Sequence, residues 1–326
     1  MVWLLTSDLH LTDRPRDEYR WGLFPWLAKQ QDKCGVTATF IAGDITQDKD
    51  KHSATLVNRM VDELIGLKPP IYILTGNHDY IRRDNPYFRF LSTIDGVHFV
   101  TEPTLIGSVA MIPHQPDQAS LDSACRIAAK AQMALGHQCI SGAIAETGRA
   151  LTGLAWPLAG SKALPLGTFL GDIHRPQRLE NGVTYIGSPY PIRFGDDFTP
   201  RVLLLKNGKE QNLYYPSPRK WVLTVRDEDE ILNNEDLHKG DQVRITVEMT
   251  REEVCEWNTH RQRVLAACKE LGLEVYGCEL KVNTSERRER SVLKTARSPE
   301  DVLASFCKAE NVSSAIKKAG IELIKG

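Results

Sequence analysis

The sequence predicts a layered α/β core followed by a smaller β-α-β unit. Three observations carry that prediction. Short apolar runs alternate with segments of helical period through the first hundred residues. Polar side chains of metal-binding type follow those runs, mostly directly after a glycine. The segment Tyr214 to Lys220 (YYPSPRK) then breaks the pattern before a second, shorter alternation begins.

Val2 to Thr6 (VWLLT) reads as the first strand, with Ser7-Asp8-Leu9-His10 at its carboxyl end. Polar Thr12 to Arg20 leads into a helical pattern around Trp21, Leu23, Phe24, Trp26 and Leu27. Ala38 to Ala42 is a second strand, ending in Gly43-Asp44. Lys49 to Gly66 carries Leu56, Val57, Met60, Leu64 and Ile65 at helical spacing. Tyr72 to Thr75 is a buried strand that stops at Gly76 and then presents Asn77, His78 and Asp79 in a row. Three such polar groups at the end of a buried strand are costly without partners. In open α/β sheets, ligands gather outside the carboxyl ends of the strands.

Val97 to Val100 and Val109 to Ile112 read as strands, and alanine-rich Ser120 to Ala134 as a helix before Leu135-Gly136-His137. Ala150 to Leu166 reads as a loop that shapes a substrate opening. Leu166 to Leu170 is a strand ending in Gly171-Asp172-Ile173-His174. Val183 to Ile186 and Arg201 to Lys206 read as strands of an antiparallel hairpin system, separated by the stiff loop Gly187 to Pro191. Beyond the break, Gln242 to Met249 alternates as a strand, Glu252 to Leu271 is an amphipathic helix and Glu274 to Val282 a strand. Thr284 to Arg297 is polar and basic and reads as a solvated linker, with a DNA contact as the other reading. Ser298 caps a terminal helix whose apolar side is Val302, Leu303 and Phe306, and a second short helix covers Val312 to Ala319.

The totals bound the class. A chain of 326 residues has room for roughly two domains, and 41% hydrophobic with 25% charged residues is ordinary for a globular protein. The net charge of −1 gives no overall basic field, although a neutral protein can hold a positive cleft. Seven widely spaced cysteines with no C-x-x-C pair suit a reduced, cytoplasmic setting rather than a disulfide framework or a zinc–thiolate site. No signal peptide and no membrane span are expected, because no charged leader or long apolar run is present.

Five strand ends carry metal-type residues: Asp8 with His10, Asp44, Asn77 with His78, His137, and Asp172 with His174. Each motif alone is weak; all five in order are a strong signal. Two divalent ions about 3.5–4 Å apart clamp a phosphate and lower the pKa of a bridging water. Asp44 is the natural bridge. Asp8, His10 and His174 complete one ion, and Asn77, His137 and Asp172 the other. Imidazole and oxygen donors without thiolate suit Mn²⁺, Fe²⁺, Zn²⁺ or Mg²⁺. His78 is free to act as general acid on a leaving oxygen, with Asp79 expected to orient it.

These motifs resemble the five motifs of the calcineurin-like metallophosphoesterases. Leu170-Gly-Asp-Ile-His-Arg-Pro-Gln177, Tyr185-Ile-Gly-Ser-Pro189 and Phe194-Gly195 further resemble SbcD, the nuclease subunit of the SbcCD complex. The resemblance implies a four-layer α/β/β/α sandwich over residues 1–215 that holds two divalent metal ions, Mn²⁺ foremost with Mg²⁺ second. It implies a small α+β capping domain that faces DNA over 216–283, and C-terminal segments (284–326) that engage an SbcC-like coiled-coil ATPase. It also implies a homodimer that cleaves DNA phosphodiesters. Two departures stand out. Asp172 occupies a place where the family usually has His, which makes the site harder and favours Mn²⁺ or Mg²⁺ over Zn²⁺. Gln47 stands where relatives often carry Asp or His, so no exonuclease role carries over to it.

Other residues read more plainly. His114 is assigned a structural or solvent role, His52 a surface position, His98 a satisfied partial-core position and Cys139 a buried, inert thiol. Tyr87, Phe88 and Phe90, interleaved with Arg82, Arg83 and Arg89, suit a DNA contact or a dimer interface alike. Two other functions compete: a phosphoesterase of small nucleotides or phosphoproteins, and a non-catalytic scaffold with a decaying site.

Overall fold

The computed structural model describes residues 1–158 and 163–282, with Leu303, Cys307, Ile316 and Lys318 beyond them. The expected linker and terminal helices otherwise lie outside the described residues.

Two six-stranded sheets pack face to face. In the first, β1 (Val2–Thr6), β2 (Ala38–Ile41), β3 (Ile71–Leu74) and β4 (Val97–Val100) run parallel. β11 (Val202–Lys206) joins antiparallel to β1, and β12 (Lys209–Leu213) antiparallel to β11. The second sheet has the order β5 (Thr104–Ile106), β6 (Val109–Ile112), β7 (Met133–His137), β8 (Thr168–Gly171), β10 (Val183–Tyr185), β9 (Gln177–Arg178), and its four central strands are parallel.

Each central strand is buried on both faces, which is why its sequence is a continuous apolar run rather than an alternation. Leu5, Phe40 and Leu74 face the second sheet, where they meet Met111, Leu135 and Phe169. Their neighbours Leu4, Ile41 and Ile73 face outward against Leu27 of α1 (Leu23–Cys34) and Met60 of α2 (Ala54–Ile65). On the far side, Leu121 of α3 (Gln118–Ala124) covers Ala110, Ala134 and Leu170. The result is four layers, helix–sheet–sheet–helix, as expected.

A third sheet of three parallel strands follows: β13 (Lys220–Val225), β14 (Gln242–Met249) and β15 (Glu274–Val282). Its core side packs Val243, Ile245 and Val247 against Val264 and Cys268 of α5 (Trp257–Glu270) and Ile231 of α4 (Asp229–Leu232). No helix of the described residues is long and apolar enough to cross a membrane.

The structure corrects several element readings. Ser120 to Ala134 is not one helix: α3 ends at Ala124, a 3-10 turn runs Cys125–Lys130, and β7 begins at Met133. The small alanines there serve close packing beneath the sheet as well as helix formation. Val183–Tyr185 and Val202–Lys206 are each paired antiparallel with a neighbour in sequence, but not within one hairpin system: β10 pairs with β9 in the second sheet, and β11 with β12 in the first. The helix read from Lys49 starts at Ala54, where Ser53 Oγ accepts from Leu56 N at 3.1 Å. The helix read from Glu252 opens as a 3-10 turn, Glu253–Glu256. His98 is exposed and stacks on Tyr72 with ring centroids 4.8 Å apart, so it is no core residue. His52 packs on Tyr87 and Phe88 at 4.4 and 4.7 Å rather than standing free on the surface.

Candidate metal centre

The strand ends converge at one rim of the sandwich. β1 delivers Asp8 and His10, β2 delivers Asp44, β3 delivers Asn77 and His78, β7 ends in His137, and β8 is followed by Asp172 and His174. Among the described residues five non-glycine residues have positive φ, and four of them are here: Asp8 (56°), His10 (43°), Asp44 (54°) and Asp172 (89°). Such backbone costs on the order of 1–3 kcal/mol per residue and persists only where the surroundings enforce it.

Glycines make the convergence sterically feasible. A Cβ on Gly76 would strike the Asp44 carboxylate and amide. On Gly43 it would strike the His137 ring, and on Gly171 the Ala42 carbonyl. The glycine before each polar residue is therefore space that a neighbouring side chain occupies.

Donor atoms face one another in two groups that share Asp44. Asp8, His10 and His174 place one atom each within 4.8 Å of the others, as do Asp8, Asp44 and His137, and His10, Asp44 and His78. His10 Nε2 lies 3.1 Å from His174 Nε2 and 3.6 Å from Asp44 Oδ2. On the other side, His137 Nε2 lies 3.4 Å from Asp44 Oδ1, 3.6 Å from Asp172 Oδ1 and 3.2 Å from Asn77 Oδ1. Ligands bound at about 2.1 Å stand about 3.0 Å apart along an octahedral edge and about 3.4 Å apart along a tetrahedral one. Three of the observed separations, 3.1, 3.2 and 3.4 Å, fall in that range, and the two of 3.6 Å lie just beyond it.

Two further observations fit a cation here. Asn77 Oδ1 lies 3.1 Å from both Asp44 oxygens, acceptor against acceptor. Turning the amide over would relieve this by hydrogen bonding, and a cation between the oxygens relieves it without turning. Either arrangement suits the His137 tautomer, because the turned amide would also donate to Nε2 at 3.2 Å. His137 Nδ1 sits 2.6 Å from the Ala42 carbonyl, so it carries the proton and leaves the Nε2 lone pair pointing into the cluster. Asp8 Oδ2 is buried without a hydrogen-bond partner.

The electrostatics agree. Burial pushes the Asp8 carboxyl up to about 8. Burial, with Asp79 nearby, raises Asp44 well above the usual range, and burial raises Asp172 as well. Burial holds His174 down at about 4 and lowers His10 far below its ordinary value. Three buried carboxylates without a countercharge resist ionisation, and divalent cations would supply that countercharge. The residues present therefore fit two such ions: Asp8, His10 and His174 would hold one, Asn77, His137 and Asp172 the other, and Asp44 both.

His78 is half-buried at the edge of this cluster, its ring packed edge-on to His10 at 4.9 Å. Its amide donates to Asp44 Oδ1 at 2.9 Å. The expected Asp79–His78 orientation does not occur. Asp79 is fully buried and accepts from the amides of Gly76 (2.7 Å), Asp44 (2.8 Å) and Ile45 (2.9 Å), which consumes both carboxylate oxygens. Asp79 thus ties the Asp44 loop to the Asn77 loop. His78 is oriented instead by the Gln47 carbonyl, 2.8 Å from Nδ1. A backbone oxygen has no sequence signature, so that role was not readable.

Glu146 was also missed. Its Oε1 accepts from the His174 amide at 3.2 Å and lies 3.3 Å from His174 Nδ1. A lone Glu in a loop carries no signal by itself. His114 stands behind the cluster, where Nδ1 accepts from the Tyr80 hydroxyl at 2.7 Å. Burial holds His114 at about 4.

The cluster opens into a cleft of about 850 Å³ that runs up to the third sheet. Arg14, Arg16, Arg193 and Arg244 line it, together with Phe194 and Tyr276. The Arg244 guanidinium lies 4.5 Å from the centre of the Phe194 ring, and the Phe194 and Tyr276 rings are 5.3 Å apart. The register of β14 against β15 shifts between Val243 and Arg244, and Tyr276 falls at that bulge.

Residues 1–118 match the model of the calcineurin-like phosphoesterase family. That phosphoesterase match spans Asp8 through Asp79; His137, Asp172 and His174 lie beyond it and join the cluster through the second sheet. The mixed α/β layering is consistent with the metallophosphoesterase fold. No curated protein matches the chain. One solved structure, of a novel archaeal phosphodiesterase, is similar at 13% identity and a TM-score of 0.38, covering 66% of this chain and 100% of that one. At that level the likeness carries no functional argument.

Proposed function

We propose that the chain is a metal-dependent phosphodiesterase of SbcD type that hydrolyses DNA and works as a homodimer with an SbcC-like coiled-coil ATPase. One observation carries the DNA reading: the paired donor groups open into a cleft lined by Arg14, Arg16, Arg193 and Arg244 together with the tilted rings of Phe194 and Tyr276. Guanidinium groups suit a phosphate backbone and aromatic faces suit bases. The SbcD-like motifs at Leu170–Gln177 and Tyr185–Pro189 support the same reading. The ATPase and dimer parts rest on that resemblance.

When bound, two divalent ions supply Lewis acidity at the scissile phosphate and a nucleophile at neutral pH. The chain's own groups do the rest. With Nδ1–H held by the Gln47 carbonyl, it is the imidazolium form of His78 that carries a second proton on Nε2; that proton goes to the departing sugar oxygen and leaves the neutral imidazole with its proton on Nδ1. Arg14, Arg16 and Arg193 hold neighbouring phosphates, and Phe194 with Tyr276 stacks a base. The hard donor set, with Asp172 in place of imidazole, favours Mn²⁺ or Mg²⁺.

The test compares linear duplex DNA with p-nitrophenyl phosphate and cyclic nucleotides, using the full chain with Mn²⁺. DNA degradation is expected, and the double change Arg244→Ala with Tyr276→Ala should weaken DNA cleavage while sparing p-nitrophenyl phosphate. Hydrolysis of the small substrates with DNA untouched would overturn the proposal.

A further inference from the structure

The 3-10 helix Pro15–Arg20 is held from two sides. Toward the metal centre, Arg20 Nη1 donates to the His10 carbonyl. Toward the third sheet, Lys220 Nζ lies 3.6 Å from Asp17 Oδ1, and Gln242 Nε2 donates to the Arg16 carbonyl at 2.7 Å. Asp17 joins the two sides: Oδ1 lies 3.1 Å from Arg20 Nη2, and Oδ2 accepts from Thr12 Oγ1 at 2.9 Å. Lys220 also donates to the Ile192 carbonyl at 3.2 Å.

This cluster is not a surface ion pair. The Asp17 and Arg20 side chains are each 4% exposed and that of Lys220 6%. Two cations share one carboxylate, and desolvating three charges costs several kcal/mol per ion before their attraction returns any of it. Replacing such a buried cluster by well-packed apolar residues is often neutral or stabilising, so its presence is weak evidence of a contribution to stability. What it fixes is specific. His10 has φ 43°, and Arg20 holds the peptide oxygen of that strained residue. The N–H of the same peptide donates to the Ile45 carbonyl at 2.9 Å, so Arg20 is one of two anchors on the peptide that follows His10.

We propose that Lys220, Asp17 and Arg20 form a positioning relay through which the third sheet sets the orientation of His10. A polyanion that draws on Lys220 from the cleft thereby alters the metal centre at His10 without touching it. The inference rests on reading His10 as a metal ligand.

Mn²⁺ titration calorimetry on the full chain separates the two ideas. His10→Ala is expected to lose one of two Mn²⁺; retention of both would end the ligand reading and the relay with it. Given that loss, Lys220→Met, which keeps the length of the side chain, is expected to weaken one Mn²⁺ site about tenfold. Lys220→Arg should restore it. Combined with Asp17→Asn, Lys220→Met should add no further loss. In the metal-free chain, the His10 imidazole ¹⁵N resonances, assigned by their absence in His10→Ala, should move in Lys220→Met. Wild-type Mn²⁺ affinity with unmoved His10 resonances overturns the relay, as do losses that add independently. Circular dichroism checks the fold; if Lys220→Met does not fold, Asp17→Asn gives the same readouts alone.

Discussion

Asp44 presents one carboxylate oxygen to each of two histidines: Oδ2 stands 3.6 Å from His10 Nε2 and Oδ1 3.4 Å from His137 Nε2. A single carboxylate with one oxygen on each side has the geometry of a bridge. Asp44→Asn keeps the shape and removes the charge. Mn²⁺ stoichiometry measured by calorimetry is expected to fall below two, with hydrolysis down about 100-fold or more. An unaltered stoichiometry would take the bridge away from Asp44.

His78 donates its amide to Asp44 Oδ1, and its ring offers one nitrogen within 4.8 Å of the His10 and Asp44 donors while also lining the cleft. His78→Ala should keep both metals and DNA binding while cleavage falls about 10²–10⁴-fold. Gln47→Ala keeps the carbonyl that anchors Nδ1, so its effect on cleavage should be small by comparison. A Gln47→Ala loss as deep as that of His78→Ala would mean that the Gln47 side chain, not its backbone, matters.

Gly76→Ala forces a methyl group against the Asp44 carboxylate and amide. The expected cost is about 1–3 kcal/mol of stability, with Mn²⁺ binding weakened because Asp44 must move. Chemical unfolding of the metal-free protein measures the first and calorimetry the second. A variant with wild-type values for both would show that the loop yields freely.

Asp172 Oδ1 lies 3.6 Å from His137 Nε2, on a residue with φ 89°. Asp172→Ala should lower metal stoichiometry, and Asp172→His should move the preference from Mn²⁺ toward Zn²⁺. Competition between the two ions reads the second effect. Binding and selectivity identical to wild type would remove Asp172 from the ligand set.

The pH dependence has two opposing parts in the metal-free protein. Burial raises Asp8 from 3.8 to about 8, so its contribution is full below about 4 and is lost as pH rises toward 8. Burial lowers His114 from 6.5 to about 4, so its contribution is full above 6.5 and is lost as pH falls toward 4. Mn²⁺ binding at pH 7 must therefore expel the Asp8 proton. Calorimetry in two buffers of different ionisation enthalpy should show proton release that Asp8→Asn reduces, the remainder coming from Asp44 and Asp172, which burial also raises. Equal heats in both buffers would contradict the raised Asp8 value.

Strands β1, β2 and β3 were legible because burial on both faces leaves an unbroken apolar run, and the polar residue after each run marks its carboxyl end. The convergence of Asp8, Asp44, Asn77, His137 and His174 followed from that one regularity. What escaped has two physical causes. The Gln47 carbonyl acts through the backbone, which every residue possesses. Glu146, Asp17 and Lys220 act through tertiary contacts between distant segments, and Asp79 was misassigned because adjacency in sequence suggested a partnership that three backbone amides pre-empt. The segment from Ser120 to Ala134 failed differently: alanine serves helix and tight sheet contact equally well.

Four of the proposed ligands sit in left-handed backbone that glycine would adopt without strain. Replacing Asp172 by glycine would then relax the scaffold while emptying the rim of a donor. Natural drift toward a sturdier chain and selection for chemistry pull those positions in contrary directions. Each of those positions accepts backbone strain in exchange for a donor side chain at the rim.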